Sequence, residues 1–396
     1  MVMNKSINYD ISKIRTEKNK EFFIEMIPYI SEKIISYQLN ANENKVEIFI
    51  THDADEAVLE NLEMLFELSN VDEVEDSGES RIVLDKRSLR PFNTAQIFEA
   101  LLKRRDIYEL AAGYFSYSGL FLQVMNYFHT KIKEFAFQNF EPQEIDFPTS
   151  MPIERFRQGG YFQTFPHHII FKTCMNNNLK VLSDFADLQD NYHIQNMKNP
   201  SMIIKNAACA PIYMFKEGQN LDHLEVFFVK DKCQRNESAN VSELSRLNEF
   251  NMVEIVFIGE EQEVEKNINK SQELWEFWID KFKLNCFVET AHDSFFASNY
   301  KKLKFFQLMG NSKLEFKVLL PHRDQYIAAA SINFHRNHFS KKYDIKYKDG
   351  QCYSACIAFG LERMAYAFLA QMGLKIKEWP AEVWQEVNSY IPLGGG

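Results

Sequence analysis

The stretch MVEIVFIG, residues 252 to 259, constrains this chain more than any other. A strand with one wet face alternates apolar and polar side chains. This one is apolar at almost every position, so it belongs inside a sheet that is covered on both faces. Its single charge, Glu254, is therefore expected to be buried. A lone buried carboxylate is strongly unfavourable, so a cation, a metal or a set of donors must stand opposite it.

Further apolar stretches read as strands: EVFFVKDKC (225–233), KLEFKVLLP (313–321), YIAAASINFH (326–335) and YSACIAFG (353–360). Few, unevenly spaced helices separate them, which predicts an α+β fold on an antiparallel sheet rather than a doubly wound parallel one. With 396 residues and 45% hydrophobic content, the chain can bury a large core and divide into two domains. The boundary falls at SLRPFNTAQ (88–96). Residues 1–90 read as a small α/β domain, with a helix over 17–38, a strand over 45–51, a helix over 55–69 and a strand over 80–87. Residues 91–396 read as a large domain that opens with a helix over 95–106. A long helix over 118–138 follows, with Ser118 as its cap, and the next strand ends at DFPTSMP, where Pro148 and Pro152 break the ladder.

Charge is unevenly placed. The net charge is −10, and the first 90 residues hold 11 Lys and Arg against 19 Asp and Glu, a balance of −8. An acidic domain of this kind is a poor ligand for a phosphate backbone, which is bound by basic side chains that release counterions. The chain has no run of 18 uncharged apolar residues, and its first 20 residues have no apolar signal core, so a cytoplasmic protein with no membrane span is expected. The six cysteines show no paired spacing, as suits thiols or metal ligands better than disulfides. The basic runs KKLKFF (301–306) and SKKYDIKYK (340–348) read as solvated faces that could join a basic patch.

Two segments carry candidate chemistry. In QRNESANVSELSRLNEFNMVE (234–254), a strand ending at Arg235 and Glu237 returns through a polar loop to a strand bearing Arg246, Phe250 and Glu254. Arginines flanking a loop suit a bidentate grip on phosphates and an aromatic between them can stack on a base, although a solvated hairpin with surface ion pairs fits the same pattern. In YSACIAFGLERMAYAFLAQMGL (353–374), Arg363 sits in the first turn of a helix, where a cation opposes the helix dipole. That is understandable if arginine and helix jointly hold an anion, or if the side chain simply reaches solvent.

Together these segments resemble the class II aminoacyl-tRNA synthetases. QRNES…SRLNEFNMVE resembles motif 2, FGLERMAYAF resembles motif 3, and the long helix ending at DFPTSMP resembles motif 1, in the right order. More narrowly, GGYFQTFP (159–166), AACAPIY (207–213), SINFHRNHF (331–339), SACIAFGLER (354–363) and FLAQMGLKIKEWP (368–380) resemble the zinc-dependent branch, the methanogen-type seryl-tRNA synthetases and the amino acid:carrier protein ligases. The resemblance spans residues 105 to 385.

What it implies is a class II catalytic domain, homodimeric through the motif 1 helix, with the small N-terminal α/β domain appended. Zn²⁺ would be held by Cys209, Glu254 and Cys356, and its open position would take the α-amino group of an amino acid. ATP would meet Arg235 at the α-phosphate, Arg363 at the γ-phosphate, Arg246 at the outer phosphates, Glu237 at the adenine amino group and Phe250 at the ring. Asn333 and His335 are further positions of the site. Mg²⁺ is implied without assignable ligands, because Glu315 is followed by Lys317 where a second carboxylate would serve. The function expected first is activation of a small amino acid as its adenylate and transfer to the phosphopantetheine thiol of a carrier protein, a small acidic partner that needs only a modest patch such as Lys301, Lys302, Lys304, Lys341 and Lys342. Transfer to tRNA comes second, since the chain has no coiled-coil arm and an acidic appendage. A non-catalytic paralogue comes third, and retention of Arg235, Glu237 and Arg363 counts against it.

Overall fold

A computed structural model describes residues 5–40, 44–51, 55–70, 80–188, 194–291 and 313–390. The N-terminal unit holds three antiparallel strands, β1 (Lys5–Asp10), β2 (Ile34–Asn40) and β3 (Lys45–Ile50), in the order β1-β3-β2. Helices α1 (Glu17–Met26) and α2 (Asp55–Asn70) pack on each other, and Phe23, Met26, Ile48, Val58 and Leu62 are buried in their own cluster. The helix expected over 17–38 is two elements. Pro28, which has no N–H to give, sits in a 3₁₀ turn over Ile27–Tyr29, and the β-branched pair Ile34 and Ile35 then starts β2.

The large sheet contains β4 (Ile82–Asp85), β5 (Gln143–Glu144), β6 (Glu225–Gln234), β7 (Glu249–Gly259), β8 (Cys286–Thr290), β9 (Lys313–Leu320), β10 (Gln325–Arg336) and β11 (Tyr353–Gly360), in the order β4-β8-β9-β10-β11-β7-β6-β5. Every pairing is antiparallel except that of β5 with β6. β4 corrects the sequence reading. It is the edge strand beside β8 rather than part of the N-terminal unit, a long-range pairing that local pattern could not show. The strand expected to end at DFPTSMP is likewise divided. β5 is a two-residue edge, and Ser150–Pro152 joins Met202–Ile204 and Ile170–Lys172 in a separate small sheet.

β7 is central and buried on both faces, as its composition requires. Its odd positions Val253, Ile255 and Phe257 enter the main core, whose other face is built by Phe121, Val124 and Phe128 of α3 (Gly119–Phe140), Trp278 of α4 (Glu273–Phe282) and Phe368 of α5 (Leu361–Met372). Its even positions Val256 and Ile258 enter a second cluster with Tyr213, Cys209 and Cys356. Ser118 flanks α3, but its hydroxyl donates to the Arg105 carbonyl and makes no cap bond, so the expected cap is absent. Among the described residues no helix is long and apolar enough to cross a membrane.

Candidate active site and metal centre

The even face of β7 organises one half of the site. Across β7 and β11, Val256 stands opposite Cys356, and across β11 and β10, Cys356 stands opposite Asn333. Paired residues share a face, and so do residues two apart, so the register alone puts Glu254, Cys356 and Asn333 in one row. Cys209 arrives from a different direction, at the start of the short helix Ala210–Phe215. The ligand atoms of Cys209, Glu254 and Cys356 all lie within 4.8 Å of one another, and all three residues are buried.

Their surroundings are ordered. Glu254 Oε1 accepts the backbone N–H groups of Ala208 at 2.9 Å and Cys209 at 3.0 Å. Asn333 Nδ2 donates to Cys356 Sγ at 3.6 Å, and His335 Nε2 lies 3.6 Å from the same sulfur. His335 Nδ1 is 3.0 Å from the Tyr213 hydroxyl and 3.3 Å from that of Ser354. If those hydroxyls donate to Nδ1, the ring proton sits on Nε2 and faces sulfur. The Cys209 thiol is pushed well above its ordinary pKa by its hydrogen bond with Cys356, then by burial and by Glu254. For Cys356 the hydrogen bond with Cys209 acts downward, while burial and Glu254 carry the thiol above its usual value. Two sulfurs and a carboxylate crowded together and buried at the wall of the cleft suit a cation, and the donor set fits Zn²⁺ with one coordination position left over.

The other half is the loop between β6 and β7. Both halves line one cleft of about 1370 Å³. The guanidinium of Arg235 lies over the Phe250 ring, 5.1 Å from its centroid, and its Nε donates to the Asn206 carbonyl at 3.1 Å. Glu237 is 5% exposed, its N–H bonds the Asn248 side chain at 2.8 Å, and Arg246 stands 3.6 Å from its carboxylate. Arg363, on the first turn of α5, donates from Nε to the Ser245 carbonyl at 2.6 Å and from Nη1 to that of Ala328 at 3.0 Å. Burial, then the neighbouring Arg246, pulls its pKa down to about 10. The arginine therefore ties the loop to the strand floor and does not point to bulk water. Its two carbonyl bonds occupy two of its five N–H groups, which leaves donors for an anion.

Where Lys313, Glu315 and Lys317 line the cleft, the described residues do not form a Mg²⁺ cage. Glu315 is paired with Lys313 at 3.0 Å and with Lys317 at 3.7 Å, and Lys317 also meets Glu289 at 2.5 Å. The sequence also gave no sign that the N-terminal unit would reach this cleft, yet Glu25 pairs with Arg246 at 2.7 Å and the Tyr29 hydroxyl lies 3.4 Å from Glu237. Glu21 and Glu25, spaced i and i+4 on an amphipathic helix, look in sequence like any solvated acidic face. Of the expected basic clusters, Lys341 and Lys342 are exposed at the end of the short helix His338–Lys342, while residues 301–306 lie outside the described residues.

The sheet order and flanking helices are those of the class II synthetase fold. The chain aligns over 98% of its length with M. kandleri SerRS in complex with A. aeolicus tRNASec, at a TM-score of 0.67 and 16% identity, covering 78% of that chain. A cytoplasmic serine-tRNA ligase from Naegleria fowleri in complex with AMP aligns over 86% of this chain and 78% of its own, at a TM-score of 0.58 and 10% identity. In sequence, the chain is similar to the type-2 serine–tRNA ligase of Methanocaldococcus jannaschii, 28% identical over 252 residues that make up 60% of this chain and 48% of the relative. It is also similar to that of Methanococcus maripaludis, 25% identical over 70% of this chain and 57% of the relative, and that of Methanococcus aeolicus, 23% identical over 89% and 74%. The chain thus spans about half the length of the first two. No family model matches it.

Proposed function

We propose that the chain activates serine with ATP as seryl-adenylate and passes the seryl group to a tRNA. The observation that carries the reading is the meeting of two half-sites in one cleft, Cys209, Glu254 and Cys356 on one side and Arg235, Phe250 and Arg363 on the other. The serine and the tRNA are taken from the relatives, whose names specify both. They reverse the order expected from sequence, where a carrier protein came first.

In this reading Zn²⁺ bound by Cys209, Glu254 and Cys356 supplies a Lewis-acid position for a free α-amino group. The rest is positioning. Phe250 stacks on adenine, and Glu237 accepts from its exocyclic amino group. Arg235, held in line by the Phe250 ring and the Asn206 carbonyl, meets the α-phosphate, and Arg363 meets the γ-phosphate. A carboxylate oxygen of the amino acid attacks the α-phosphorus, and the bond to pyrophosphate breaks. An acceptor hydroxyl then attacks the carbonyl carbon, and AMP leaves. The arginines stabilise charge that grows on phosphate oxygens, and the site needs no nucleophile of its own. Mg²⁺ is given no step, because the carboxylates at the phosphate end are already paired with lysines.

The balance of −8 in the first 90 residues counts against a polyanionic acceptor and keeps transfer to a carrier-protein thiol as the second reading. Exchange of labelled pyrophosphate into ATP, run with each amino acid, tests activation, and serine-dependent exchange is expected. No exchange with any amino acid in zinc-loaded protein would leave the non-catalytic paralogue. Acid-gel labelling of total tRNA beside a phosphopantetheinylated carrier protein then separates the acceptors, and a thioester with no labelled tRNA would install the carrier protein in place of tRNA.

A further inference from the structure

The residues assigned above to ATP are partly occupied by the chain itself. Arg246 Nη2 donates to Glu25 Oε1 at 2.7 Å, a charge-assisted bond of the kind a phosphate oxygen would make. The Tyr29 hydroxyl lies 3.4 Å from the carboxylate of Glu237, the group that would read adenine. Three more bonds seat the segment. Ser238 Oγ donates to the Pro28 carbonyl at 3.0 Å, Asn240 Nδ2 to the Glu25 carbonyl at 3.1 Å, and the Tyr37 hydroxyl to Asn240 Oδ1 at 2.8 Å. One turn before Glu25, on the same face of α1, the charge of Glu21 acts on Lys317, after the closer Glu315 and Glu289. Glu25 and Tyr37 themselves line the cleft.

We propose that α1 and the turn after it form an autoinhibitory plug, in which Glu25 stands in for a phosphate on Arg246 and must withdraw before a nucleoside triphosphate can bind fully. The argument is electrostatic. A carboxylate left beside Arg246 would face the outer phosphates of ATP at a few ångströms in a partly dry cleft, where like charges repel far more strongly than in water. Arg246 Nη2, given to Glu25, and Nη1, facing Glu237, would have to turn from these carboxylates to meet a phosphate. Two of the side chains that meet the plug, Arg246 and Glu237, are also ones that would read the nucleotide, so closure and full binding exclude one another. The apparent affinity is then the intrinsic affinity scaled by the open fraction. A plug closed about nine-tenths of the time weakens nucleotide binding about tenfold. The ion pair is about one-third exposed, 32% for Arg246 and 27% for Glu25, so added salt should loosen it.

The plug rests on the nucleotide reading of the cleft, and two measurements separate them. Calorimetric titration with ATP is run on the full chain and on Glu25→Gln, which keeps size and removes charge. Hydrogen exchange of residues 17–40 is followed in the same proteins with and without ATP. Expected are a dissociation constant about tenfold lower in Glu25→Gln, and faster exchange of 17–40 in the parent when ATP is added. ATP binding that is unchanged or weaker in Glu25→Gln overturns the plug and leaves the nucleotide site standing. Binding to neither protein, with exchange of 17–40 faster in the variant, overturns both.

Discussion

Cys356→Ser is the substitution that most cleanly separates metal binding from folding. Cys356 is 2% exposed, and its strand is paired on both sides, by β7 at Val256 and by β10 at Asn333. Serine keeps the backbone ladder and nearly the same shape. Its hydroxyl can still accept from Asn333 and His335, which now approach the sulfur at 3.6 Å. The folding cost should therefore stay near the value of one ordinary hydrogen-bonding change, about 1 kcal/mol. The metal fares differently. A structural zinc site contributes roughly 10–16 kcal/mol over four ligands, so losing one thiolate removes about 3 kcal/mol, on the order of a hundredfold in affinity. The assay is zinc per chain by mass spectrometry after dialysis against a chelator of intermediate strength, with a denaturant midpoint measured alongside. Cys286→Ser, buried in β8 and outside the cluster, is the control. The parent and the control should retain one zinc and Cys356→Ser should lose it, and in excess chelator, where bound metal no longer adds to stability, both variants should unfold near the parent midpoint. Equal zinc in Cys356→Ser and the parent would remove this centre from the account.

Arg363→Ala should slow adenylate formation by about 10²–10³-fold, because a preorganised cation at developing phosphate charge is lost, and Arg363→Lys should not restore it, since lysine cannot hold the Ser245 and Ala328 carbonyls while reaching an anion. A single-turnover rate within tenfold of the parent would count against its phosphate role. Phe250→Ala removes the stacking face and the rest for Arg235, and should raise the ATP dissociation constant about tenfold or more while leaving zinc content unchanged. Glu362 gives a pH signature. Burial, against the hydrogen bonds from Asn251, raises its pKa to about 7 from the model-peptide 4.5, so the folded chain keeps a proton that the unfolded chain releases. Its contribution is undiminished below about pH 4.5, falls as pH rises toward about 7, and is constant above, a loss of up to roughly 3 kcal/mol. Glu362→Gln should flatten that fall and raise the denaturant midpoint at pH 8, and identical pH profiles for the two proteins would reject the assignment.

What the sequence displayed well was anything written within one element. MVEIVFIG announced a doubly covered strand with a buried charge, and Glu254 is 1% exposed between two cysteines. The loop from Arg235 to Phe250 was legible because its residues share one hairpin. The three metal ligands were another matter. They are 45 and 102 residues apart, and only the family resemblance brought them together. Local pattern failed where a distant partner decides. Residues 82–85 read equally well as a strand of either unit, and their pairing with β8 could not be inferred from four residues. The long helix expected over 17–38 ignored Pro28, and the break there is what brings Tyr29 to Glu237. Glu25 was hidden for a related reason, since a charge on a polar helix face carries no mark of the arginine it will meet.

The two-sided commitment of β7 has a consequence for how such a chain can change over generations. Because Val253, Ile255 and Phe257 serve the main core while Glu254 and Val256 serve the other face, inserting or deleting one codon within the strand would turn the acid toward the aromatic core and an aliphatic side chain toward the two thiols. Substitutions there can be graded, but length cannot. The loop between Ser238 and Ser245 has no such parity to keep, so a change of length there would shift anchors such as Asn240 and the buried Leu244 without turning a whole face over.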